Sequence, residues 1–254
     1  MLVRNEKRTK QYLWNVWKIA KPRKTDTRNK VTRLHAREKY GIVAQLPPNF
    51  GHMRNTEHQT DKKSEGGIFN MVERRNIQLA AFQDEDVTLF TQWLGKDYFY
   101  KWFCCDGEDS RQARTNGLAV KQAWLDQITS RKENPHRQLF IVTFRGSKIG
   151  FGACIDLAGE PEYVKEKYPD LAEKLTTQEA FELNYGIGEA VYLNQGIGKI
   201  IIRRLEETCR GFGATWLLAD PSEQNTPSVK VLLSNGFEQY KDGDYRKQVS
   251  RRSE

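Results

Sequence analysis

Between a strand-like run and an amphipathic helix, the segment Leu193-Asn194-Gln195-Gly196-Ile197-Gly198-Lys199 sets two glycines one residue apart. Glycines at such a turn let the backbone aim its N–H groups inward, and the helix start adds the positive end of its macrodipole. That combination can hold a pyrophosphate, although an ordinary strand-to-helix turn uses the same residues. The position, late in the chain, argues against a dinucleotide-binding unit, whose glycines follow the first strand. Some way downstream, Asp220-Pro221-Ser222-Glu223-Gln224-Asn225 brings a carboxylate and an amide to another strand exit. Asn225 is suited to an amide-containing ligand or, alternatively, to capping the next helix. Glu182 and Asn184, two residues apart, share one face of a strand.

Other residue groups have competing readings. Trp102 and Phe103 sit in the aromatic run KDYFYKWFCC, either a core-facing helix end or an apolar and cation-π wall for a ring-bearing amine. Glu160, Glu162, Glu166, Asp170 and Glu173 form an acidic lid or a solvated helix face. Cys104-Cys105 has no partner histidine nearby, since His136 is the only histidine after Met71. With three of the four histidines before Met71 and no HxxxH, no metal site is expected. The cysteine spacing fits neither zinc knuckles nor a disulfide scaffold, so reduced thiols are expected.

The elements that must position these residues follow from periodicity. Ile77, Leu79 and Ala81 alternate as a strand, Asp84 offers a helix N-cap, and Val87, Phe90, Trp93 and Leu94 recur at helical spacing. A second helix is predicted from Thr115, ending before Pro135. A hairpin follows, 139–144 and 148–157, around Arg145-Gly146-Ser147. After an insert over 158–179, strand character resumes from Phe181 to Tyr192. A helix spans Gly198 to Arg210 with Gly211 as its stop, and 215–219 is a buried strand. Thr226 is the expected cap of a last helix, with Pro227 at its start and Gly236 at its end, before closing strands up to Val249. This order implies an α/β fold, a mixed sheet with helices on both faces and a site at strand C-terminal ends.

The chain has 254 residues, 29% of them charged and 38% hydrophobic, with a net charge of +8. No run approaches the ~18 apolar residues of a spanning helix, so no membrane association is expected, and with no secretory h-region a cytoplasmic protein is the default. The charge is uneven: residues 1–70 carry net +10 and the remainder net −2. The basic end has its apolar residues in scattered clusters, such as the possible short helix Tyr12 to Ala20, between basic runs, and is expected to be a mostly disordered extension, with Met71 a plausible translation start and 71–254 the folded domain. Nucleic-acid binding is therefore not expected of the folded domain, and its slight acidity favours a cationic acceptor. Monomer and homodimer both remain open.

The glycine loop and the DPSxxN run, followed by VKVLLSNGF, resemble the GNAT acetyltransferase superfamily, and within it the aminoglycoside 6′-N-acetyltransferases and siderophore-type acyltransferases. The resemblance covers Arg74 to Lys247. It implies a GNAT-like, mostly antiparallel central sheet and acetyl-CoA as co-substrate without a metal. By position it implies that Ile187 and Gly188 meet the pantetheine arm, that Gln195, Gly196, Ile197, Gly198 and Lys199 cradle the diphosphate, and that Asn225 bonds the cofactor arm near a splayed fifth strand. Trp102, Phe103, Asn184 and Asp220 fall at the acceptor, a small cationic amine. The sequence departs from the family pattern at three positions. Leu193 replaces the Gln or Arg of the loop motif, Leu232 the tyrosine that protonates the leaving thiolate, and Asn184 the proposed base. Glu182 and Asp220 are the candidate replacements for that base. The implied activity is acetyl transfer to a primary amine, an aminoglycoside 6′-amine first, with siderophore-type or peptide acyl transfer and acetyl-CoA sensing as alternatives.

Overall fold

The computed structural model describes residues 76–250 except positions 178 and 242; the expected basic extension lies outside the described residues. Seven strands form one sheet in the order β1-β2-β3-β4-β5-β7-β6: β1 (Ile77–Ala81), β2 (Arg137–Phe144), β3 (Ser147–Asp156), β4 (Ala180–Ile187), β5 (Trp216–Ala219), β6 (Glu238–Lys241) and β7 (Asp244–Gln248). All neighbours are antiparallel except β4 and β5. The β2–β3 hairpin closes through Arg145 (φ 50°) and Gly146 (φ 82°), a two-residue turn with both positions left-handed.

Helices cover both faces. Helices α1 (Asp86–Trp93), α2 (Asp97–Cys104) and α3 (Arg111–Thr129) pack Phe90, Trp93, Phe99 and Trp124 on Ile141, Phe151 and Ala153. On the other face, α6 (Ile197–Gly211) buries Ile197, Ile201 and Leu205 against Val142, Cys154, Phe181 and Leu183. The insert forms two short helices, α4 (Pro161–Lys167) and α5 (Ala172–Thr177), over a small core of Leu157, Val164, Tyr168 and Leu218. The last helix, α7 (Thr226–Ser234), follows β5.

Several boundaries differ from the sequence-based expectations, each for a local reason. The aromatic run forms its own helix, α2, and α3 starts at Arg111 rather than Thr115 because the Ser110 side chain accepts from Ala113 N. Asp84 does not cap α1; it pairs with Arg131 and Lys132, while Asp86 accepts from Gln83 N. β4 ends at Ile187 rather than Tyr192. There Gly188 donates to Ile149 O while its own carbonyl accepts from Lys96 Nζ and the Tyr98 hydroxyl, and the chain turns away. Gly211 is the last residue of α6, and Gly213 (φ 88°) makes the left-handed turn after it. Asn225, not Thr226, caps α7 through Ser228 N.

Two glycines give opposite expectations on substitution. A Cβ on Gly188 would lie 2.2 Å from the ring of the fully buried Trp93, whereas one on the helical Gly211 meets nothing within 4 Å. Gly188→Ala is expected to destabilise by about 1–3 kcal/mol, and Gly211→Ala to stabilise by roughly 0.5 kcal/mol. Chemical denaturation measures both.

Candidate active site

The parallel pairing of β4 with β5 lasts three residues, Ala180, Phe181 and Glu182 opposite Trp216, Leu217 and Leu218. β5 ends at Ala219, next to Asp220-Pro221, while β4 continues to Ile187. The two strands thus part in mid-sheet. The bond from Gly188 N to Ile149 O makes Ile187–Gly150 a non-hydrogen-bonded pair of the β3–β4 ladder. By the alternation of antiparallel pairing, Tyr185 and Ile187 aim their N–H and C=O groups toward the side that β5 has left. A backbone edge of this kind suits an extended, amide-bearing chain.

A cleft of about 170 Å³ opens at the parting, and it brings together six of the residues singled out in sequence: Trp102, Phe103, Glu182, Asn184, Asp220 and Asn225. Glu182 and Asn184 share one face of β4. Phe103, stacked on Phe99 at 4.3 Å, supports the aromatic wall beside Trp102 and Trp124. Ser222 Oγ donates to Asp106 O at 2.9 Å, tying the loop after β5 to the loop after α2. Leu232 lines the inner end and is almost wholly buried.

The chemistry of the cleft is dominated by residues that the sequence did not single out. Lys167, the last residue of α4, places Nζ 2.9 Å from Glu182 Oε2, 2.7 Å from Asp220 Oδ2 and 2.6 Å from the Tyr163 hydroxyl. It also lies 5.1 Å and 5.2 Å from the ring centres of Tyr163 and Tyr168. Glu182 Oε2 accepts from Lys167 and from both tyrosine hydroxyls, at 2.8 Å and 3.0 Å. Burial works to raise the Glu182 pKa, but the Lys167 charge and these hydrogen bonds outweigh it and hold the carboxyl below its usual range. Burial likewise opposes the Lys167 charge, and Asp220 and Glu182 more than offset it, so the ammonium is held well above its ordinary pKa. The side chain of Glu182 is 4% exposed and that of Asp220 23%. Asp220 is therefore the carboxylate that a substrate can reach.

Within the acidic run of the insert, Glu160 is turned inward rather than forming part of an open lid. Glu160 receives Arg137 Nε at 3.0 Å, Glu162 pairs with Lys165 on the surface, and the Asp170 side chain lies outside the described set. What the insert brings to the cleft is Tyr163 and Lys167. The signal that could have found them is the Y-x-x-x-K spacing, which puts both side chains on one helix face.

On the other side of β4, Tyr185 sets its hydroxyl 3.2 Å from Ser228 Oγ, and a Cβ on Gly198 would come within 3.3 Å of its ring. Tyr185 thus stands between the glycine loop and the cleft. The loop turns through Asn194 (φ 60°) and Gly196 (φ 75°), with open space at Gly196 and Ile197 starting α6. The N–H groups of that first turn have no partner within the helix, so the backbone fits a diphosphate. Gly188, by contrast, has both backbone groups occupied by protein partners. The four cysteines are free and buried, and burial pushes the Cys104 thiol up to about 12, which removes it as a nucleophile at neutral pH. Among the described residues no His, Cys, Asp and Glu group could hold a metal ion, and no helix is long and apolar enough to cross a membrane.

Glu182→Gln is expected to destabilise the fold by about 3 kcal/mol, because Lys167 loses a buried counter-ion. The depressed Glu182 pKa contributes stability that is present above the unfolded-state value near ~4.3 and is lost as pH falls through the folded value. The variant should therefore flatten the acid limb of a pH–stability curve below about pH 4.5, measured by urea melts.

Comparison with known proteins places this geometry. The acetyltransferase (GNAT) domain family matches residues 76–238, well over half of the chain. A search of curated proteins returned no match. Among solved structures, the aminoglycoside acetyltransferase AAC(6′)-Ib in complex with ribostamycin and coenzyme A superposes with a TM-score of 0.50 at 18% identity, over 68% of this chain and 93% of that one. The same enzyme with Parmomycin and acetyl-CoA gives the same values. The Campylobacter jejuni N-acetyltransferase PseH aligns at 14% identity and a TM-score of 0.44, over 69% of this chain and 99% of that one. The chain belongs to the GNAT family and is an acetyl-CoA-dependent N-acetyltransferase.

Proposed function

We propose that residues 71–254 form a cytoplasmic N-acetyltransferase domain that acetylates a primary amine, with the 6′-amine of an aminoglycoside as the acceptor, and that residues 1–70 are a basic extension outside the reaction. The observation that carries this reading is the meeting, at one strand parting, of the open β4 edge with a cleft that holds an accessible carboxylate and an aromatic wall. The cleft lining carries Asp106, Glu182 and Asp220 against Arg137 and Lys167, an excess of one negative charge that favours a cationic acceptor. AAC(6′)-Ib, which shares the fold, is solved with ribostamycin in complex.

In this reading Gln195, Gly196, Ile197, Gly198 and Lys199 hold the diphosphate by backbone N–H groups. Ile187 pairs with the pantetheine amides, and Asn225, with its oxygen capping α7, turns its amide nitrogen to the same arm. Acetyl-CoA supplies the acyl group and a thiol leaving group. Asp220 accepts the proton of the attacking amine, directly or through water, while Glu182 holds Lys167 and does not act as base. Trp102, Phe103 and Asn184 line the acceptor side. The Tyr185 hydroxyl, kept protonated by burial, takes the donor role that Leu232 cannot fill. Because Asn184 and Leu232 depart from the family pattern, a low-activity acetyl-CoA sensor is the second reading.

A coenzyme A release screen over aminoglycosides, hydroxylamine siderophore precursors and peptide N-termini is expected to score with aminoglycosides; silence across that class at saturating acetyl-CoA would sink the acceptor assignment. Asp220→Asn should lower kcat/KM by roughly 100-fold with coenzyme A affinity intact. Tyr185→Phe should lower kcat more than KM and shift the alkaline limb of the kcat profile, leaving the melting temperature within a few degrees.

A further inference from the structure

The least usual feature of the cleft is that its best ammonium receptor is already full. Two carboxylate oxygens, a phenol oxygen and two ring faces converge on one point, and the alkylammonium found there is Lys167 of the chain itself. The three protons of the ammonium have three acceptors, Glu182, Asp220 and the Tyr163 hydroxyl. Glu182 Oε2 in turn receives three donors. The second buried cation of the cleft, Arg137, is engaged by Glu160 at 3.0 Å and by Gln127 at 2.6 Å.

A second amino group on an acceptor, placed beside the reacting amine, would therefore find Glu182 Oε2 filled by three donors, with Oε1 beside Asn184 Nδ2 at 3.4 Å and the side chain only 4% exposed. It would also face the Lys167 charge across a few ångströms of poorly solvated space. A hydroxyl in the same place carries no such penalty, and Asn184, on the same face of β4 as Glu182, lines the cleft with an amide that bonds to hydroxyls.

Resting on the reading of this cleft as the acceptor site, we propose that Lys167 determines acceptor specificity: its ammonium fills the subsite of a second acceptor amine, so that the cleft selects acceptors with a hydroxyl rather than an amino group beside the reacting amine. Asp220, shared between Lys167 and the cleft, is left to serve one incoming amine. Specificity of this kind comes from a built-in repulsive element rather than from an added contact.

The test uses the full chain and pairs of aminoglycosides that differ only in a hydroxyl or an amino group on the ring bearing the 6′-amine. Wild type should favour the hydroxyl member in kcat/KM. Lys167→Gln should narrow or reverse that ratio by about tenfold, and Lys167→Arg should keep it. A folded Lys167→Gln protein with the ratio unchanged overturns the proposal and leaves Lys167 a structural strut. Should Lys167→Gln fail to fold, wild type alone decides. Its discrimination must shrink as pH rises through the pKa of the second amine, and a pH-independent ratio, or no preference at all, overturns the proposal. If no aminoglycoside is turned over, the acceptor assignment above fails by itself. The specificity proposal is then read by ligand-observed NMR titration with 3-aminopropan-1-ol and 1,3-diaminopropane, where wild type must favour the amino alcohol and Lys167→Gln must reduce that preference, equal behaviour overturning it.

Discussion

The constraint on which the site depends is the shortness of β5. It gives β4 three residues of parallel pairing and then ends at Ala219, with Pro221, which has no N–H to offer, two residues on. β4 runs on for five residues with β3 on one side. An unpaired strand edge is normally a hazard that a fold covers or charges. Here it lies inside a sheet, flanked by helices that keep other chains away, so what can reach it is a slim extended ligand. The staple at the far end serves the same geometry: Lys96 and Tyr98 hold the Gly188 carbonyl, and Trp93 Nε1 and Lys96 bond Glu189. The strand is thus fixed at both ends and open in the middle.

The second determinant is charge balance under the insert. Two carboxylates and one ammonium in a largely dry site are tolerable because nearly every donor and acceptor is used, and removing any one partner would leave an expensive remainder. That balance divides the work of the carboxylates. Glu182 has Oε2 filled by three donors and is held in its ionised form, whereas Asp220 keeps contact with the cleft. It also fixes where the insert sits, since Tyr163, Lys167 and Tyr168 are bound to β4 and to the end of β5 rather than merely resting on them.

Which parts of this were legible in the sequence follows from the range of the interactions. The hairpin turn, the glycine loop and the Asp220 to Asn225 run depend on local backbone geometry, and local geometry is written in short spacings of glycine, proline and Asx residues. The mixed sheet followed from their order. Helix starts were less legible because caps compete: Asp84 has the right type but is drawn away by Arg131 and Lys132, and Ser110 wins five residues before Thr115. Of the Lys167 cage, only the Tyr163–Lys167 spacing was legible. The carboxylate partners of Lys167 are 15 and more residues away, and in sequence a lysine among glutamates looks like a solvated helix face. Of the acids of that run, Glu160 is taken by Arg137 and Glu162 by a surface lysine, and the residue that reaches the cleft carboxylates is one of its bases.

The alternation of β4 explains why these features can act in one reaction. Phe181, Leu183 and Tyr185 face α6 and the glycine loop, while Glu182 and Asn184 face the aromatic wall and the insert. In the proposed reaction, the side of the strand assigned to the acyl donor is thereby separated from the side assigned to the acceptor by one strand's thickness, and the two meet at the edge that β5 leaves open. A register slip of one residue would exchange the two sets and put Glu182 against the apolar helix. The pairing of Glu182 with Ile155 on one side and Leu218 on the other sets that register. The same buried carboxylate that retains Lys167 therefore lies in the last rung before the strands part, and the position of the cleft, its charge and the face it presents to an acceptor are set within a few residues of one another.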